Sequence, residues 1–446
     1  MSDTIFALAT APGRAAVAII RLSGPRAREA LITLGGGKPA HSQARVRRLR
    51  STDGRPLDTA VTLFFAGPHS YTGEDCAELH LHGGAGVVDG VTETILGLGL
   101  RLAEAGEFTR RAFENGKLDL DQAEAIADLT DAETTAQARQ ALGQLEGRLG
   151  ARYRTWRETL VDALARLEAA VDFPDEDVPV DVAQQARAAL QGLASDLDSA
   201  LADEGRGRRV REGYRVAIVG APNSGKSSLL NGLSGRDAAI VTPIPGATRD
   251  IIETSLILDG FKLVLADMAG IRRTSDPIES EGVRRARAWA EGADLRLWVV
   301  DRAERVGLWR EALDLVRPGD ICILNKSDQT AGGDEAAARQ GARTRGVHVI
   351  SISLLNDGAS TVEAALSVRV RQDLAGAEFP AATRARHEAH LREAREHLER
   401  ALTQLDEPEL AAEDARLAAR SLERISGRIG ADEILGKVFA TFCIGK

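Results

Sequence analysis

Hydrophobic positions repeat with a helical period in two stretches of the chain, on either side of a central stretch of short apolar runs. From Leu118 to about Leu201, apolar residues recur at steps of three, four or seven, which predicts one face of a helix. The residues with this spacing are Leu142, Leu145, Leu149, Trp156, Leu160, Leu164, Leu167 and Val171. Asp172–Pro179 interrupts the pattern, and a further helix is predicted over Ala183–Leu201. The helical pattern returns after about Leu374.

Between these helical stretches, short apolar runs alternate with helical segments, which predicts a doubly wound, mostly parallel sheet. The predicted strands are 214–219, 253–258, 261–266, 294–300, 319–324 and 346–351. Asp259-Gly260 is a strong hairpin signal, so the second and third of these strands should be antiparallel. The basic sequence Arg206–Arg211, which contains a glycine, is interpreted as a linker into this region.

The first 118 residues predict a mixed α/β segment, with strands at Val17–Leu22 and Val61–Phe65 and a helix over Gly86–Leu98. We therefore expect a multidomain chain of α/β and all-α parts with boundaries at 1–118, 119–210, 211–374 and 375–446. The third part is predicted to be inserted into a helical domain formed by the second and fourth, since the termini of compact domains often lie close together. Domains arranged in series are the alternative.

The composition is that of a soluble globular protein, with 446 residues, 43% hydrophobic and 28% charged. No apolar run is long enough for a transmembrane helix and no secretory signal is present, so we expect a cytoplasmic protein without a membrane partner. The three cysteines, Cys76, Cys322 and Cys443, form no CxxC pair, which excludes a disulfide framework or a cysteine-based zinc site. The net charge of −9 argues against a uniformly basic surface but not against a local patch that binds RNA.

A phosphate-binding loop, GAPNSGKSS, occupies Gly220–Ser228 between a predicted strand and an apolar helix. This context supports the motif, because backbone N–H groups of the glycine-rich turn and the helix N-terminus face the phosphates. Lys226 should reach the β- and γ-phosphates, and the Ser227 hydroxyl should ligate Mg²⁺. The loop residues predicted to bind nucleotide are Asn223, Ser224, Gly225, Lys226, Ser227 and Ser228. A chance glycine-rich turn is the alternative.

Two further segments fit the phosphate end of the same site. Asp267 ends a predicted strand in a DxxG sequence, where the aspartate holds Mg²⁺ through water and the N–H of Gly270 can sense the γ-phosphate. Thr248 lies between the phosphate-loop helix and the next strand, where a switch threonine ligates Mg²⁺ in the GTP-bound state. A simple turn residue is the other interpretation of Thr248.

The sequence NKSD at Asn325–Asp328 follows another predicted strand and indicates guanine as the base. A carboxylate at Asp328 can accept from both guanine N–H groups, which adenine does not offer in that arrangement. Lys326 belongs to the same segment, and Ser351 and Ser353, after a further strand, are predicted to contact the guanine carbonyl.

Four sequences together resemble the MnmE (TrmE) family of tRNA-modification GTPases: GAPNSGKSS, PGATRD, DMAGIRRTSDPIESEG and the terminal FCIGK. The resemblance covers essentially the whole chain and implies a Ras-like P-loop G domain inserted into a helical domain, after an α/β tetrahydrofolate-binding domain. It also implies potassium beside the phosphates. The implied potassium ligands are Asn223, Thr242, Ile244 and Ala247, with Thr242 also in the GTP site. Ala247 stands where the family usually has threonine.

The catalytic residues are assigned through the same resemblance. Many GTPases position the attacking water with a glutamine directly after the DxxG glycine, but this chain has Ile271 there. The family's water-positioning glutamate corresponds to Glu279; the residues alone would not distinguish it from Glu281. Cys443 becomes a candidate for the modification chemistry, against a buried inert cysteine or a poorly matching lipidation sequence.

The resemblance further implies a folate carrier, 5,10-methylenetetrahydrofolate or 5-formyltetrahydrofolate, bound by Arg21, Glu78, Lys117 and the terminal Lys446. Cations suit the glutamate carboxylates of folate, and a carboxylate suits its pterin N–H groups. Each residue, taken alone, would be read as an ordinary surface or salt-bridged residue. His80 and His82 are interpreted as packed or hydrogen-bonded, and His387 and His390 as part of a solvated helix face.

The function implied is GTP-dependent addition of an aminomethyl or carboxymethylaminomethyl group to C5 of the wobble uridine of tRNAs. The implied partners are a second copy, in a homodimer formed through the N-terminal domain, and an FAD-carrying MnmG-like protein, in a heterotetramer. The alternative is a ribosome-assembly GTPase switch without covalent RNA chemistry. It is disfavoured because neither a GXXG RNA-binding loop nor a basic tail is evident.

Overall fold

The computed structural model describes residues 3–172, 180–203, 205–235, 252–268, 277–303, 307–332, 335–356, 358–376, 379–426 and Gly445. Only the backbone is described at 170–172, 180–183, 252 and 277–282. These residues form two compact units. The first contains the chain up to Thr130, Ala141–Asp198 and the part from Ala389 onward; the second contains Asp131–Gln140 and Ser199–Glu388.

The strands, in chain order, are β1 (Ile5–Leu8), β2 (Ala15–Ser23), β3 (Arg45–Arg50), β4 (Pro56–Phe65), β5 (Cys76–Gly83), β6 (Arg101–Leu102), β7 (Tyr214–Val219), β8 (Ile252–Leu258), β9 (Phe261–Asp267), β10 (Leu295–Asp301), β11 (Ile321–Asn325) and β12 (His348–Ser351). The helices are α1 (Ala27–Gly35), α2 (Ala85–Gly97), α3 (Glu107–Glu114), α4 (Leu120–Thr130), α5 (Thr135–Leu145), α6 (Arg148–Asp172), α7 (Val180–Ala202), α8 (Arg206–Glu212), α9 (Lys226–Ser234), α10 (Pro277–Glu291), α11 (Glu335–Arg343), α12 (Gly358–Leu374), α13 (Ala385–Thr403) and α14 (Pro408–Ile425). Short 3₁₀ turns occur at Leu308–Ala312 and Leu354–Asn356.

The N-terminal sheet of the first unit has the order β3-β4-β5-β2-β1-β6, antiparallel except where β6 joins β1. In β2, the alternate residues Ala18, Ile20 and Leu22 are buried, because successive side chains of a strand point to opposite faces. Ile20 and Leu22 pack with apolar residues of α1 and α2, so these helices cover one face of the sheet. The strands and the helix predicted for the first 118 residues are confirmed.

The helical part of the first unit brings together segments from both sides of the central domain. Helices α6 and α14 pack on each other, joined by ion pairs between Arg157 and Glu423 and, at 2.7 Å, between Arg416 and Glu168. A helix that precedes the central sheet therefore pairs with one that follows it. The prediction of a domain inserted into a helical domain is confirmed.

One predicted helix face is wrong in part. The apolar repeat from Leu142 to Val171 was expected on a single helix face, but α5 ends at Leu145 and α6 begins at Arg148. Gly147 lies between them with φ +84°, in the left-handed region that ends helices. Leu142 is 47% exposed, whereas Leu149, Trp156, Leu160 and Leu167 of α6 are buried.

The second unit contains a sheet of order β12-β11-β10-β7-β9-β8. All its neighbours are parallel except β8 and β9, which are antiparallel and joined at Asp259-Gly260. Both turn residues have positive φ, 51° and 80°, as a tight two-residue hairpin requires. The six predicted strands and the hairpin are confirmed, with ends within two residues of the prediction.

The linker expected at Arg206–Arg211 is wrong, because these residues form helix α8. Arg206 pairs with Asp203, which precedes the helix, at 2.8 Å. Arg209 lies 4.0 Å from Asp294, which is distant in sequence, and Val210 is buried. This run of positive charge is therefore an ordered helix, because carboxylates near it in sequence and one distant carboxylate, Asp294, pair with its arginines.

The solvated helix face expected for His387 is also wrong. His387 is fully buried, and its Nδ1 lies 3.3 Å from the backbone nitrogen of Thr383. His390 lies 3.3 Å from Glu393. His80 and His82 contact Glu78 and Asp58, at 3.3 and 2.8 Å, as the hydrogen-bonded interpretation predicts.

Of the three cysteines, Cys76 and Cys322 lie in the described part of the chain, and both are buried free thiols. Burial raises the pKa of the Cys322 thiol to about 12, so this thiol stays protonated and unreactive. Among the described helices, none combines the length and the apolar composition needed to cross a bilayer.

Candidate nucleotide-binding site

The phosphate loop runs from the end of β7 to the start of α9, where the sequence predicts it. Two glycines allow close approach of other segments. A β-carbon at Gly220 would lie 2.1 Å from the Val299 carbonyl oxygen, and one at Gly225 would lie 2.2 Å from the side-chain nitrogen of Asn325. Both have positive φ, 147° and 107°, which side chains rarely adopt. Only glycine fits these two positions.

Lys226 opens helix α9 and is buried at 7% exposure. Its ammonium donates to the carbonyl oxygen of Ala221 at 2.9 Å, so the side chain folds back along the loop. Burial lowers the pKa of Lys226 from its ordinary value, and the charges of Asp267 and Glu311 oppose that shift. A buried cation at the start of a helix, directly after a glycine-containing loop, is suited to bind phosphate.

Ser227 and Asp267 are in contact where the phosphate loop continues into helix α9. The Ser227 hydroxyl donates to one carboxylate oxygen of Asp267 at 2.6 Å. Within the described part of the chain, no donor bonds the other oxygen, Oδ1, although it is buried. A hydroxyl beside a buried carboxylate, one of whose oxygens accepts no bond from the described residues, offers the oxygen ligands that Mg²⁺ prefers. These two residues fit the magnesium role expected of them.

The guanine-reading segment is attached to the phosphate loop through Asn325, the last residue of β11. Its side-chain nitrogen donates to the carbonyl oxygen of Ser224 at 2.9 Å, and both residues are buried. Lys326 has φ +63°, and its ammonium lies 2.6 Å from Asp301. The segments predicted to bind the base and the phosphates are therefore one connected set of loops.

Asp328 is oriented by the second predicted guanine segment. The Ser353 hydroxyl donates to Asp328 Oδ1 at 2.5 Å, and the backbone N–H of Ser327 donates to the carbonyl of Ile352 at 3.0 Å. Ser351 ends β12, and its hydroxyl accepts from Arg339 at 2.7 Å. The structure thus brings 325–328 and 351–353 together, as their positions after neighbouring strands predict.

Sequence reasoning missed several residues around this site. Arg302 and Arg339 contact the predicted guanine-reading segments, and Glu335 accepts from both arginines. Trp289 of α10 donates to Glu253 of β8 at 2.8 Å. In the sequence these charged residues look like ordinary surface residues. The one signal in the sequence is the spacing of four residues between Glu335 and Arg339, which lie on helix α11 in the structure.

Some predicted site residues lie outside the described residues: Thr242, Ile244, Ala247, Thr248, Gly270, Cys443 and Lys446. Glu279 lies in the first turn of α10, where only the backbone is described. Asn223 is exposed with φ +61°, and Ser228 is exposed in the first turn of α9. The assignments of these residues stay predictions.

Two of the residues predicted to bind folate are cross-strand neighbours in the N-terminal sheet. Arg21 of β2 faces Glu78 of β5, and its Nε donates to Glu78 at 3.0 Å. The guanidinium also lies over two aromatic rings, 5.4 Å from Tyr71 and 5.8 Å from Phe108. These two aromatic rings, which sequence reasoning missed, lie beside the ion pair of Arg21 and Glu78.

Lys117 reaches the same loop as Tyr71, which connects β4 and β5. Its ammonium donates to the carbonyl of Pro68 at 3.1 Å, and a β-carbon at Gly73 would contact its side chain at 3.4 Å. Gly445, next to the predicted Lys446, packs its backbone against the end of β1. A β-carbon there would lie 2.3 Å from the Leu8 carbonyl oxygen.

A phosphate loop between strand and helix, a carboxylate on its serine and an NKSD segment on an adjacent strand define a guanine-nucleotide-binding P-loop protein of the GTPase class. The family model for the MnmE helical domain matches residues 120–443, and the model for the GTP-binding protein TrmE N-terminus matches residues 4–117. The chain belongs to the MnmE family and is a GTP-hydrolysing enzyme.

Curated relatives match over the full length. Two proteins called tRNA modification GTPase MnmE, from Phenylobacterium zucineum and Caulobacter vibrioides, are 57% and 58% identical over 450 residues, covering 100% of both chains. A third of that name, from Rhodospirillum rubrum, is 49% identical and covers 100% of this chain and 99% of its own. Among solved structures, the G domain of the T. maritima FeoB iron transporter covers 36% of this chain and 98% of its own at 24% identity, with a TM-score of 0.27 too low to bear on function.

Proposed function

We propose that this protein is a potassium-stimulated GTPase that modifies tRNA together with an FAD-carrying, MnmG-like partner. The two proteins would add an aminomethyl or carboxymethylaminomethyl group to C5 of the wobble uridine. Tetrahydrofolate, as its 5,10-methylene or 5-formyl form, would supply the one-carbon unit. GTP hydrolysis would drive a conformational cycle and not the bond formation on tRNA.

The observation that carries the GTPase part is the pairing of Ser227 with Asp267 beside the buried Lys226. Lys226 would hold the β- and γ-phosphates, and Ser227 with Asp267 would hold Mg²⁺. When bound, Mg²⁺ neutralises the charge that develops on the phosphate oxygens during hydrolysis. Asp328, oriented by Ser353, would accept both N–H groups of guanine. Glu279 would position the attacking water.

Potassium is proposed as the second cation of the phosphate site. Asn223 lies in the loop at φ +61° with an exposed side chain, and an amide oxygen is a suitable ligand for a hard cation. The remaining ligands would come from Thr242, Ile244 and Ala247. Bound there, potassium supplies the positive charge that an arginine finger gives other GTPases.

The test of the potassium proposal compares GTP hydrolysis in potassium and sodium chloride at equal ionic strength. Asn223→Ala should abolish the potassium stimulation while it leaves guanine-nucleotide affinity largely intact. Asn231→Ala, on the exposed side of the following helix, is the matched control. Equal rates of the unmodified protein in both salts would reject the potassium mechanism.

The folate proposal rests on Arg21, Glu78 and the aromatic rings beside them. A pterin or aminobenzoyl ring would stack on the half-buried Tyr71, while Arg21 and Lys117 attract the carboxylates of the glutamate tail. The backbone of Gly445 at Leu8 places the C-terminal end near β1, whose Ala7 pairs with Arg21. Lys446 and Cys443 would act from this end. Isothermal titration with 5-formyltetrahydrofolate should lose binding in Arg21→Ala.

The homodimer is proposed to form through the N-terminal domain. The sheet face opposite α1 and α2 exposes Val46 at 71%, Val17 at 48% and Val61 at 39%, and Val46 pairs with Val61 across two strands. A second copy could cover such an apolar face. Light scattering should give a dimer mass for the unmodified chain, and charged substitutions at Val46 and Val61 should weaken it. A monomer mass for the unmodified chain would reject this part of the proposal.

The test of the whole proposal is the nucleoside composition of tRNA. Bulk tRNA from cells that lack this protein should lose the C5-substituted wobble uridines, as measured by mass spectrometry. The intact gene should restore them, whereas Asp267→Asn should not. Unchanged nucleosides together with accumulating ribosomal subunits would replace the proposal with a ribosome-assembly switch.

A further inference from the structure

A network of charged side chains connects the two guanine-reading segments. It starts at Arg302, directly after β10. The Nε of Arg302 donates to Glu335 Oε2 at 2.6 Å, and Nη1 donates to the carbonyl oxygen of Ser327 at 3.2 Å. One guanidinium therefore bridges the first turn of α11 and the backbone of the NKSD segment.

The remaining hydrogen bonds of this network lead from Glu335 to the other guanine-reading segment. The Nε of Arg339 donates to Glu335 Oε1 at 2.9 Å, and Nη2 donates to the Ser351 hydroxyl at 2.7 Å. Glu335 thus gives one carboxylate oxygen to each arginine. Through this single carboxylate, Ser327 on one segment is connected with Ser351 on the other.

The geometry of this network differs from that of an isolated surface ion pair, which contributes little to stability. The Glu335 side chain is only 14% exposed, and both of its oxygens accept from guanidinium groups. Burial works against its ionised form, but the bonds from Arg302 and Arg339 outweigh burial and lower the pKa of Glu335. It therefore stays ionised at neutral pH and holds both arginines.

The two braced segments carry the residues that face the base. Asp328 follows Ser327 directly, and Ser353, which orients Asp328, lies two residues after Ser351. A small shift of either segment would move the Asp328 carboxylate away from the guanine edge. Because hydrogen bonds weaken steeply with distance and angle, that shift would lower nucleotide affinity.

We propose that Glu335 is a positioning residue for guanine recognition, which acts through Arg302 and Arg339 to keep the 325–328 and 351–353 segments in register. The proposal rests on the guanine site proposed above. It predicts that Glu335 affects binding of GTP and GDP alike, since both carry the same base. The rate at saturating GTP should change little, as expected when an interaction equal in ground and transition states is lost.

The test measures affinity of the full-length protein for a fluorescent GDP and GTP analogue, together with kcat and thermal unfolding. Glu335→Ala should raise both dissociation constants about tenfold, the effect of losing about 1.4 kcal/mol of binding free energy, with kcat within about twofold. Glu133→Ala is the matched control, because it removes a carboxylate paired with Lys262 at 2.9 Å away from the guanine segments. The control should leave both constants unchanged.

A second variant keeps the test decisive if Glu335→Ala folds poorly. Arg339→Lys keeps the positive charge beside Glu335 but has one nitrogen, whereas Arg339 uses Nε for Glu335 and Nη2 for Ser351. It should raise the dissociation constants in the same direction by a smaller factor. Unchanged constants in both folded variants would overturn the proposal, and so would a lower unfolding temperature with unchanged affinity. An unmodified protein without preference for guanine over adenine nucleotides would instead overturn the guanine site itself.

Discussion

The side-chain amide of Asn325 joins three segments of the nucleotide site. Its nitrogen donates to the Ser224 carbonyl in the phosphate loop at 2.9 Å, and its Oδ1 accepts from the backbone N–H of Leu354 at 3.3 Å. The residue itself ends β11 and is 3% exposed. A single amide thus connects the segment proposed to read the base with the loop proposed to hold the phosphates.

Asn325→Ala should weaken binding of GTP and GDP by about 30-fold or more. The change leaves the buried Ser224 carbonyl and the partly buried Leu354 N–H without these partners, at about 1–3 kcal/mol for a buried group. Equilibrium binding of fluorescent nucleotides measures the effect. Asn231→Ala, an exposed amide on α9, should bind nucleotide normally. Equal affinities in the two variants would show that Asn325 does not connect base and phosphate recognition.

The base preference should follow the hydrogen-bonding character of residue 328. Asp328→Asn replaces one acceptor oxygen by an N–H donor, which suits the C2 carbonyl of xanthine and repels the guanine amino group. We expect GTP affinity to fall about 100-fold or more, from the loss of hydrogen bonds to a charged group, while affinity for xanthosine triphosphate rises. Competition binding measures both. Asp314→Asn, at an exposed ion pair, is the control, and an unchanged preference for GTP would contradict the assignment.

Much of this fold follows from the sequence because the signals are local. Strand periodicity, the Asp259-Gly260 turn and the phosphate loop each depend on a few consecutive residues, and all appear where predicted. The errors at Arg206–Arg211 and His387 concern polar residues that the tertiary structure pairs or buries, because Arg209 lies 4.0 Å from the distant Asp294 and His387 is fully buried. The hydrogen bonds of Glu335 with Arg302 and Arg339 were missed for the same reason. The two arginines acquire a role only when the sheet brings the guanine segments together.

A hydrogen bond between α10 and β8 should affect the rate of hydrolysis. Trp289 Nε1 donates to Glu253 at 2.8 Å, and the Arg215 guanidinium lies 4.4 Å from the indole ring. Helix α10 begins at Pro277 and carries Glu279 in its first turn, so this bond anchors the other end of the proposed catalytic helix. Trp289→Phe keeps an aromatic ring but loses the donor, and kcat should fall about three- to tenfold.

The control for this prediction separates the hydrogen bond from packing. Glu253→Gln keeps an acceptor oxygen and should retain most of the activity, whereas Glu253→Ala should resemble Trp289→Phe. GDP affinity should stay within about twofold in all three variants, because none touches the nucleotide loops. Steady-state hydrolysis and GDP binding are the measurements. A loss of GDP affinity that parallels the loss of rate would point to a general disturbance of the domain.

The N-terminal domain should lose stability in acid through Glu107 at the start of α3. Its carboxylate accepts from Arg101 at 2.6 and 2.8 Å and from Arg111 at 2.9 Å. Burial favours the neutral acid, but these bonds and the backbone N–H of Glu104 outweigh burial and lower the pKa of Glu107 to about 2. A depressed folded-state pKa means that the stabilisation is complete above the ordinary value of 4.5 and disappears as the pH falls towards 2.

Glu107→Gln should therefore destabilise α3 at pH 7 and make its remaining stability less sensitive to pH between about 4.5 and 2. Hydrogen exchange of Glu107–Glu114 in the full-length protein, compared between the two proteins at each pH, reports this local effect. Exchange in α3 of the variant should be faster at pH 7, and the two proteins should converge as the pH falls through this range. Glu114→Gln is the control, because its carboxylate is 58% exposed and 3.9 Å from Arg110. If both variants exchanged like the unmodified protein at pH 7, the ion pairs of Glu107 would contribute nothing to the stability of this domain.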